Sequence, residues 1–336
     1  MTKKTELMPR VLITTVPFGA KDRSPIAKLE DAGIDYVINP IGRKLTEQEL
    51  AKMIGEFDVL IAGTECISES VFQRAKNLKF ISRVGIGLDS VDLTAAQERG
   101  IKVSYTPDAP APAVAELTVG FIFALLRSTH TANLQMHQGK WMRHFGRRIG
   151  DVTIGIIGAG RIGGNVLRLL AGFSGARVLV HDVNLGINMP NVEGFKKVSL
   201  EEIYKQADLI SLHIPLNSQT KNMIKSEQLY AMKEDALLIN TSRGGIINEK
   251  DLIAVLNSGH LGGVAIDVFE TEPYIGGLSK IERCLLTSHM GSMSFDCRAR
   301  MEIEATDEAI RFLNGQTLQS LVPIEEYEMQ KLRNLM

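Results

Sequence analysis

Apolar residues in this chain come in short β-branched runs, separated by stretches in which they recur every third or fourth position. VLITTV is followed by IAKLEDAG, DVLIAG by SESVFQRAK, and KFISRVG by VDLTAAQERG. Strand-length runs alternating with helical periods predict βα units that build a parallel sheet. The rhythm stops at TPDAPAPAVAE, residues 106–116, because Pro107, Pro110 and Pro112 suit neither a helix interior nor a central strand. A domain crossing is expected there. From Glu116, ELTVGFIFALLRS is apolar on almost every side, which predicts a helix buried all round, in a core or at a subunit interface.

A second βα series follows in TIGIIG, RVLVHD, DLISLHIP, ALLINTS, GGVAIDVF and CLLTSH. After Ser294 the amphipathic pattern FDCRARMEIEATDEAIRFLNG closes at Gly315 and is expected to return to the first domain. The predicted fold is therefore α/β, with two Rossmann-like or flavodoxin-like doubly wound parallel sheets. Residues 1–106 and 294–336 form the substrate-binding domain, and 107–293 form an inserted nucleotide-binding domain.

Composition narrows the partners. The chain has 38 basic and 39 acidic side chains among 336 residues, so bulk charge calls for neither nucleic acid nor an anionic membrane, and a small-molecule partner is expected. The amino-terminal apolar run is too short for a signal-peptide core, and no stretch is long enough for a membrane span. Cys66, Cys284 and Cys297 are odd in number and lack a CxxC spacing, which argues against a disulfide framework and a metal site and points to a reducing cytoplasm.

The chemistry begins at VTIGIIGAGRIGGNVLRLL, where Gly158-x-Gly160-x-x-Gly163 lies between a strand pattern and a helical one. A second strand pattern, RVLVHD, ends in Asp182, nineteen residues beyond Gly163, which completes the spacing of a dinucleotide site. Gly158 permits the tight turn, Gly160 lets backbone approach a pyrophosphate, and Gly163 lets the helix pack on the strand. Asp182 binds ribose hydroxyls and repels a 2′-phosphate, so the expected cofactor is NAD. Because another α/β unit precedes the fingerprint, the substrate domain is expected to come first.

INTSRGGIINEKDL (239–252), GGVAIDVFETEP (262–273) and LLTSHMG (285–291), in that order and spacing, resemble the D-isomer-specific 2-hydroxyacid dehydrogenases. The resemblance implies a catalytic set of Arg243, Glu272 and His289. Such a set suits reduction of a 2-keto acid: a histidine to give the proton, a carboxylate to hold it, and a guanidinium fork for the substrate carboxylate. It also implies that Arg161 and Ile162 meet the pyrophosphate, that Ile214 and Pro215 line the adenine side, and that Thr241, Ser242 and Asp267 surround the nicotinamide. RVGIGLDSVD matches the family's substrate loop, where backbone N–H groups of Val84, Gly85 and Ile86 receive the substrate carboxylate.

Within the family the resemblance is closest to D-3-phosphoglycerate dehydrogenase, so 3-phosphoglycerate and 3-phosphohydroxypyruvate are the leading expectation and a glyoxylate or hydroxypyruvate reductase the alternative. Arg83 and Arg143 match two cationic positions for a substrate phosphate, and Lys140, His144, Arg147 and Arg148 crowd the second loop, whereas the third position falls on Gly63. The asparagine often found before VAELT is missing, and the chain stops soon after Pro323, where phosphoglycerate members carry a serine-binding region; feedback of that kind is not expected. Corepressors that use NAD as an assembly ligand, and formate or phosphite dehydrogenases, share the resemblance; the corepressor reading needs a peptide groove and disordered tails. GKWMRHFG places Trp141, the single tryptophan, in a glycine-flanked loop that in family members reaches the other subunit, so a homodimer is expected.

Overall fold

The computed structural model describes residues 9–184, 186 and 190–334; the first eight residues, read above for a targeting signal, lie outside that set. The chain forms two compact units, Met1–Pro110 with Ser294–Met336, and Ala111–Met293.

The first unit holds β1 (Arg10–Ile13), β2 (Asp35–Ile38), β3 (Val59–Ala62), β4 (Phe80–Arg83) and β5 (Lys102–Tyr105), hydrogen-bonded in the order β2-β1-β3-β4-β5 and parallel throughout. β3 and β4 are buried along their whole length, as strands covered on both faces must be. One face packs Leu12, Leu60, Ile81 and Val103 into a core that Tyr327 of the last helix joins. The helix Phe295–Leu313 belongs to this unit: Met301, Ala305 and Ala309 are buried, Phe312 stacks on Phe80 at 4.7 Å, and the Ser82 hydroxyl donates to the Ala305 carbonyl at 2.8 Å.

The second unit holds β6 (Thr153–Ile157), β7 (Arg177–His181), β8 (Phe195–Lys197), β9 (Leu209–Leu212), β10 (Leu237–Asn240), β11 (Gly263–Ile266) and β12 (Cys284–Leu286). Its parallel order, β12-β11-β10-β9-β6-β7-β8, reverses between β6 and β9. That crevice is where an open doubly wound sheet binds its ligand.

The structure corrects the sequence reading in three places. The helix predicted from Glu116 runs over Ala111–Leu126, because Pro112 sits in its first turn, where an N–H has no intrahelical acceptor to lose. It is not buried all round either: Val114, Ala115, Thr118, Ile122 and Leu125 are buried, whereas Pro112, Glu116 and Gly120 are exposed. Finally, β2, β5 and β8 have no counterpart in the predicted runs; β2 and β8 are short edge strands with little burial, and β5 is interrupted by polar residues. No single helix among the described residues is long and apolar enough to cross a membrane.

Candidate active site

The glycine turn joins β6 to the helix Arg161–Leu170, whose buried Gly163, Val166, Leu167 and Leu170 recur at helical spacing. Each glycine answers to a different constraint. Gly158 has φ +93°, and a Cβ there would lie 2.4 Å from the His213 carbonyl oxygen. A Cβ on Gly163 would lie 2.0 Å from the Gly158 carbonyl oxygen, so helix and turn meet backbone to backbone. At Gly160, by contrast, a Cβ would meet nothing within 4 Å. That open space at the start of the helix fits a pyrophosphate. Arg161 is exposed and Ile162 half-buried at the same helix start.

Asp182 follows β7, half-buried, and ties the turn down: Oδ2 accepts from the Ala159 N–H at 2.6 Å and Oδ1 from the Asn184 N–H at 2.7 Å. Each oxygen retains a second acceptor site for a ribose hydroxyl. Across the crevice, Ile214 and Pro215 follow β9, and Ile214 Cγ2 lies 2.8 Å from the position a Gly158 Cβ would take. His213, just before them, is buried with Nε2 on the Ser211 hydroxyl at 3.0 Å, and burial pushes its imidazole down to about 3, so it is neutral.

Arg243 leaves β10 on a turn that Asn240 shapes. Asn240 Oδ1 accepts from the Ser242 N–H (3.0 Å) and hydroxyl (2.7 Å), and its Nδ2 donates to the Arg243 carbonyl at 2.8 Å. Thr241 is buried with its hydroxyl 2.9 Å from that of Thr118. Arg243 Nη1 donates to the Ser242 carbonyl at 2.6 Å. Neither Asn240 nor Thr118 was among the sequence candidates, although an asparagine ending a strand is a recognisable turn former.

The loops after β11 and β12 bring Glu272 and His289 together. His289 Nδ1–H donates to the Glu272 carboxylate, with 2.9 Å to Oε2 and 3.1 Å to Oε1, and Glu272 Oε1 also accepts from the Phe269 N–H at 3.1 Å. A carboxylate on one ring nitrogen fixes the tautomer and leaves Nε2 for a ligand. His289 has φ +52°, uncommon for a side-chain-bearing residue. Asp267, 1% exposed, holds that turn: its oxygens accept from the N–H groups of Met290 and Gly291, each at 2.9 Å, and from the Thr287 hydroxyl. Both Asp267 oxygens thus hold the His289 loop, and Oδ2, with one donor, retains an acceptor site for the nicotinamide contact that the resemblance implies.

In the first unit, two of the substrate-loop donors already have partners. The Val84 N–H donates to the Ala62 carbonyl at 2.9 Å and the Gly85 N–H to the Thr106 hydroxyl at 2.7 Å, because the chain continues strand pairing past β4; of the three groups expected to hold a carboxylate, these two are already bonded. Ile86 is half-buried beside them, and Arg83 is buried with Nη1 on the Val84 carbonyl. The β1/β3 crevice is the switch point of this strand order. There Glu65, 1% exposed, accepts from the Gly63 N–H at 3.1 Å and from the Thr14 hydroxyl. A Cβ on Gly63 would lie 2.8 Å from Glu65 Oε2 and 3.0 Å from Thr15 Cα. In the second unit Arg143 is exposed on the loop that carries Trp141. Among the described residues no cluster of His, Cys, Asp and Glu is arranged to hold a metal.

Known proteins match this arrangement closely. Residues 119–291 match the family described as D-isomer specific 2-hydroxyacid dehydrogenase, NAD binding domain. A hydroxypyruvate reductase of Thermotoga maritima is 34% identical over 277 residues, 80% of this chain and 89% of that protein. A D-3-phosphoglycerate dehydrogenase of Methanocaldococcus jannaschii is 33% identical over 297 residues, 87% of this chain but 56% of its own length. Among solved structures, the TT0316 protein from Thermus thermophilus superposes with a TM-score of 0.84 at 33% identity, covering 94% of this chain and all of that one. With the glycine turn, the switch-point crevice and the family match in agreement, the chain belongs to the D-isomer-specific 2-hydroxyacid dehydrogenases, oxidoreductases that depend on NAD.

Proposed function

We propose that this chain reduces a short, unphosphorylated 2-keto acid of the hydroxypyruvate or glyoxylate type to its D-2-hydroxy acid with NADH, and runs the reverse reaction with NAD. The cofactor supplies the hydride that reaches the carbonyl carbon. Arg243 pairs its guanidinium with the substrate carboxylate. His289 gives the proton on Nε2 to the developing alkoxide oxygen, while Glu272 on Nδ1 orients the ring and stabilises the imidazolium before transfer. The His289–Glu272 pair, 2.9 Å apart, carries this assignment. Gly158, Gly160, Arg161, Ile162, Gly163, Asp182, Ile214 and Pro215 serve the dinucleotide, with Thr241 and Ser242 on the nicotinamide side.

For the choice of acid, the likeness to the Thermotoga hydroxypyruvate reductase, 34% identical and matched over 89% of that protein, supports the unphosphorylated reading. A phosphate calls for cations, and although Arg83 ends β4, the position beside it that would supply another holds Gly63, where a Cβ would lie 2.8 Å from the buried Glu65 carboxylate. The phosphorylated alternative draws on Arg83, on the exposed Arg143 with its basic neighbours, and on the Methanocaldococcus relative. A panel of hydroxypyruvate, glyoxylate and 3-phosphohydroxypyruvate, followed by NADH absorbance, separates the two. The proposal expects higher kcat/KM for the unphosphorylated acids; the reverse order installs the phosphorylated reading.

We also propose a homodimer. Trp141 is 77% exposed, Met142 and Phe145 are exposed beside it, and Val119 and Phe123 are half-buried on the helix Ala111–Leu126. Sedimentation at micromolar concentration checks this, and a monomer rejects it. Three unpaired thiols support a cytoplasmic setting.

A further inference from the structure

β10 and β11 are adjacent and parallel, with Asn240 opposite Ile266, so the turns that carry Arg243 and Glu272 emerge side by side. Two features lock those turns together. The first is steric: a Cβ on Gly244, the residue after Arg243, would lie 1.9 Å from the Phe269 carbonyl oxygen and 2.7 Å from the Glu270 nitrogen. Gly244 therefore lies directly on the Phe269–Glu270 peptide. The second is a reciprocal pair of hydrogen bonds. The Glu249 N–H donates to Glu270 Oε1 at 3.0 Å, and the Glu270 N–H donates to Glu249 Oε1 at 2.6 Å. Glu249 opens the helix Glu249–Ser258 that ends the Arg243 turn.

Phe269 links the lock to the chemistry. Its carbonyl faces Gly244, its N–H holds Glu272, and its ring stacks on Tyr274 at 4.1 Å in the apolar core. One residue thus touches both catalytic turns.

We propose that Gly244, Glu249 and Glu270 are positioning residues, which set Arg243 against the Glu272–His289 pair through the Phe269 backbone. Two carboxylates repel, so attraction between the side chains is not what joins the turns. Burial raises the Glu249 carboxyl from its ordinary value, the Glu270 N–H opposes that, and the nearby Glu270 charge adds to it. The joining groups are the backbone donors, and what they need is an acceptor oxygen. Glutamine supplies that oxygen and alanine does not.

The catalytic half of this inference rests on the keto-acid reading above, so its test has a structural arm as well. On the full chain, Glu270→Ala should lower kcat/KM for hydroxypyruvate about tenfold with NADH affinity unchanged, and Glu270→Gln should restore it. Gly244→Ala, which pushes the turns apart, should cost about a hundredfold. Independently of turnover, hydrogen exchange at the Phe269 amide should rise about tenfold in Glu270→Ala and stay at the wild-type level in Glu270→Gln. Wild-type exchange in Glu270→Ala, or Glu270→Gln behaving like the alanine variant in either measurement, overturns the lock. If the wild type reduces no 2-keto acid, the functional reading fails, and exchange alone still decides whether the turns are joined this way.

Discussion

The two sheets offer their ligand edges in opposite ways. In the second unit the edge is cut open by glycine: Gly160 faces space, Gly158 and Gly163 let backbone touch backbone, and Asp182 steadies the turn from outside. In the first unit the corresponding edge is filled by side chains, with Glu65 on Gly63 and Thr14, Arg83 on Val84, and Thr106 on Gly85. An open edge built from backbone N–H groups suits a constant ligand such as a dinucleotide phosphate. An edge built from side chains is set residue by residue, which is how a family can keep its cofactor and vary its acid.

The contrast can be broken at the glycines. Gly163→Ala should be the most damaging change, because its Cβ has nowhere to go: about 3 kcal/mol of stability lost together with measurable NADH binding. Gly160→Ala should leave the melting temperature nearly unchanged, since nothing lies within 4 Å, while weakening NADH about tenfold in a fluorescence titration. Equal effects at the two positions would mean the turn holds no phosphate.

Asp182 sharpens the comparison on the cofactor side. The wild type should prefer NADH over NADPH by about a hundredfold in kcat/KM, and Asp182→Ala should erase most of that preference by removing the like charge. On the acid side, Glu65→Gln should improve 3-phosphohydroxypyruvate relative to hydroxypyruvate by about tenfold, with glyoxylate little changed. A uniform loss for all three would make Glu65 purely structural.

The smallest effect concerns His213, which lies under the open edge. Its folded value, about 3, is below the ordinary 6.5. Between those values the unfolded chain binds a proton that the folded chain does not, so stability is full above about pH 6.5 and falls as the pH drops toward 3. At pH 5 the loss should be about 2 kcal/mol, read from urea midpoints, and His213→Asn should flatten that slope.

Much of this was legible in the sequence where function rests on local chain. The glycine turn and Asp182 announce themselves through spacing and turn chemistry, and the segments bearing Arg243, Glu272 and His289 through their motifs' resemblance to the family. β2, with its exposed start, and β8, three residues reading FKK, did not, since edge strands carry little hydrophobic signal. Glu65 looked like any loop acid until burial singled it out, and Glu249 and Glu270, 21 residues apart, carry no mark of their pairing. The N–H groups of Val84 and Gly85 illustrate the same limit: a motif names the residues, and only folding shows which donors are already bonded.

The most direct test of the catalytic assignment is His289→Gln in the intact chain, measured by NADH oxidation with hydroxypyruvate and by NADH titration. Glutamine keeps the polarity but cannot carry the proton, so kcat should fall by about two to four orders of magnitude while NADH affinity stays within about twofold. A variant that turns over at the wild-type rate, or one that loses NADH binding to the same extent as activity, would contradict the role given to His289.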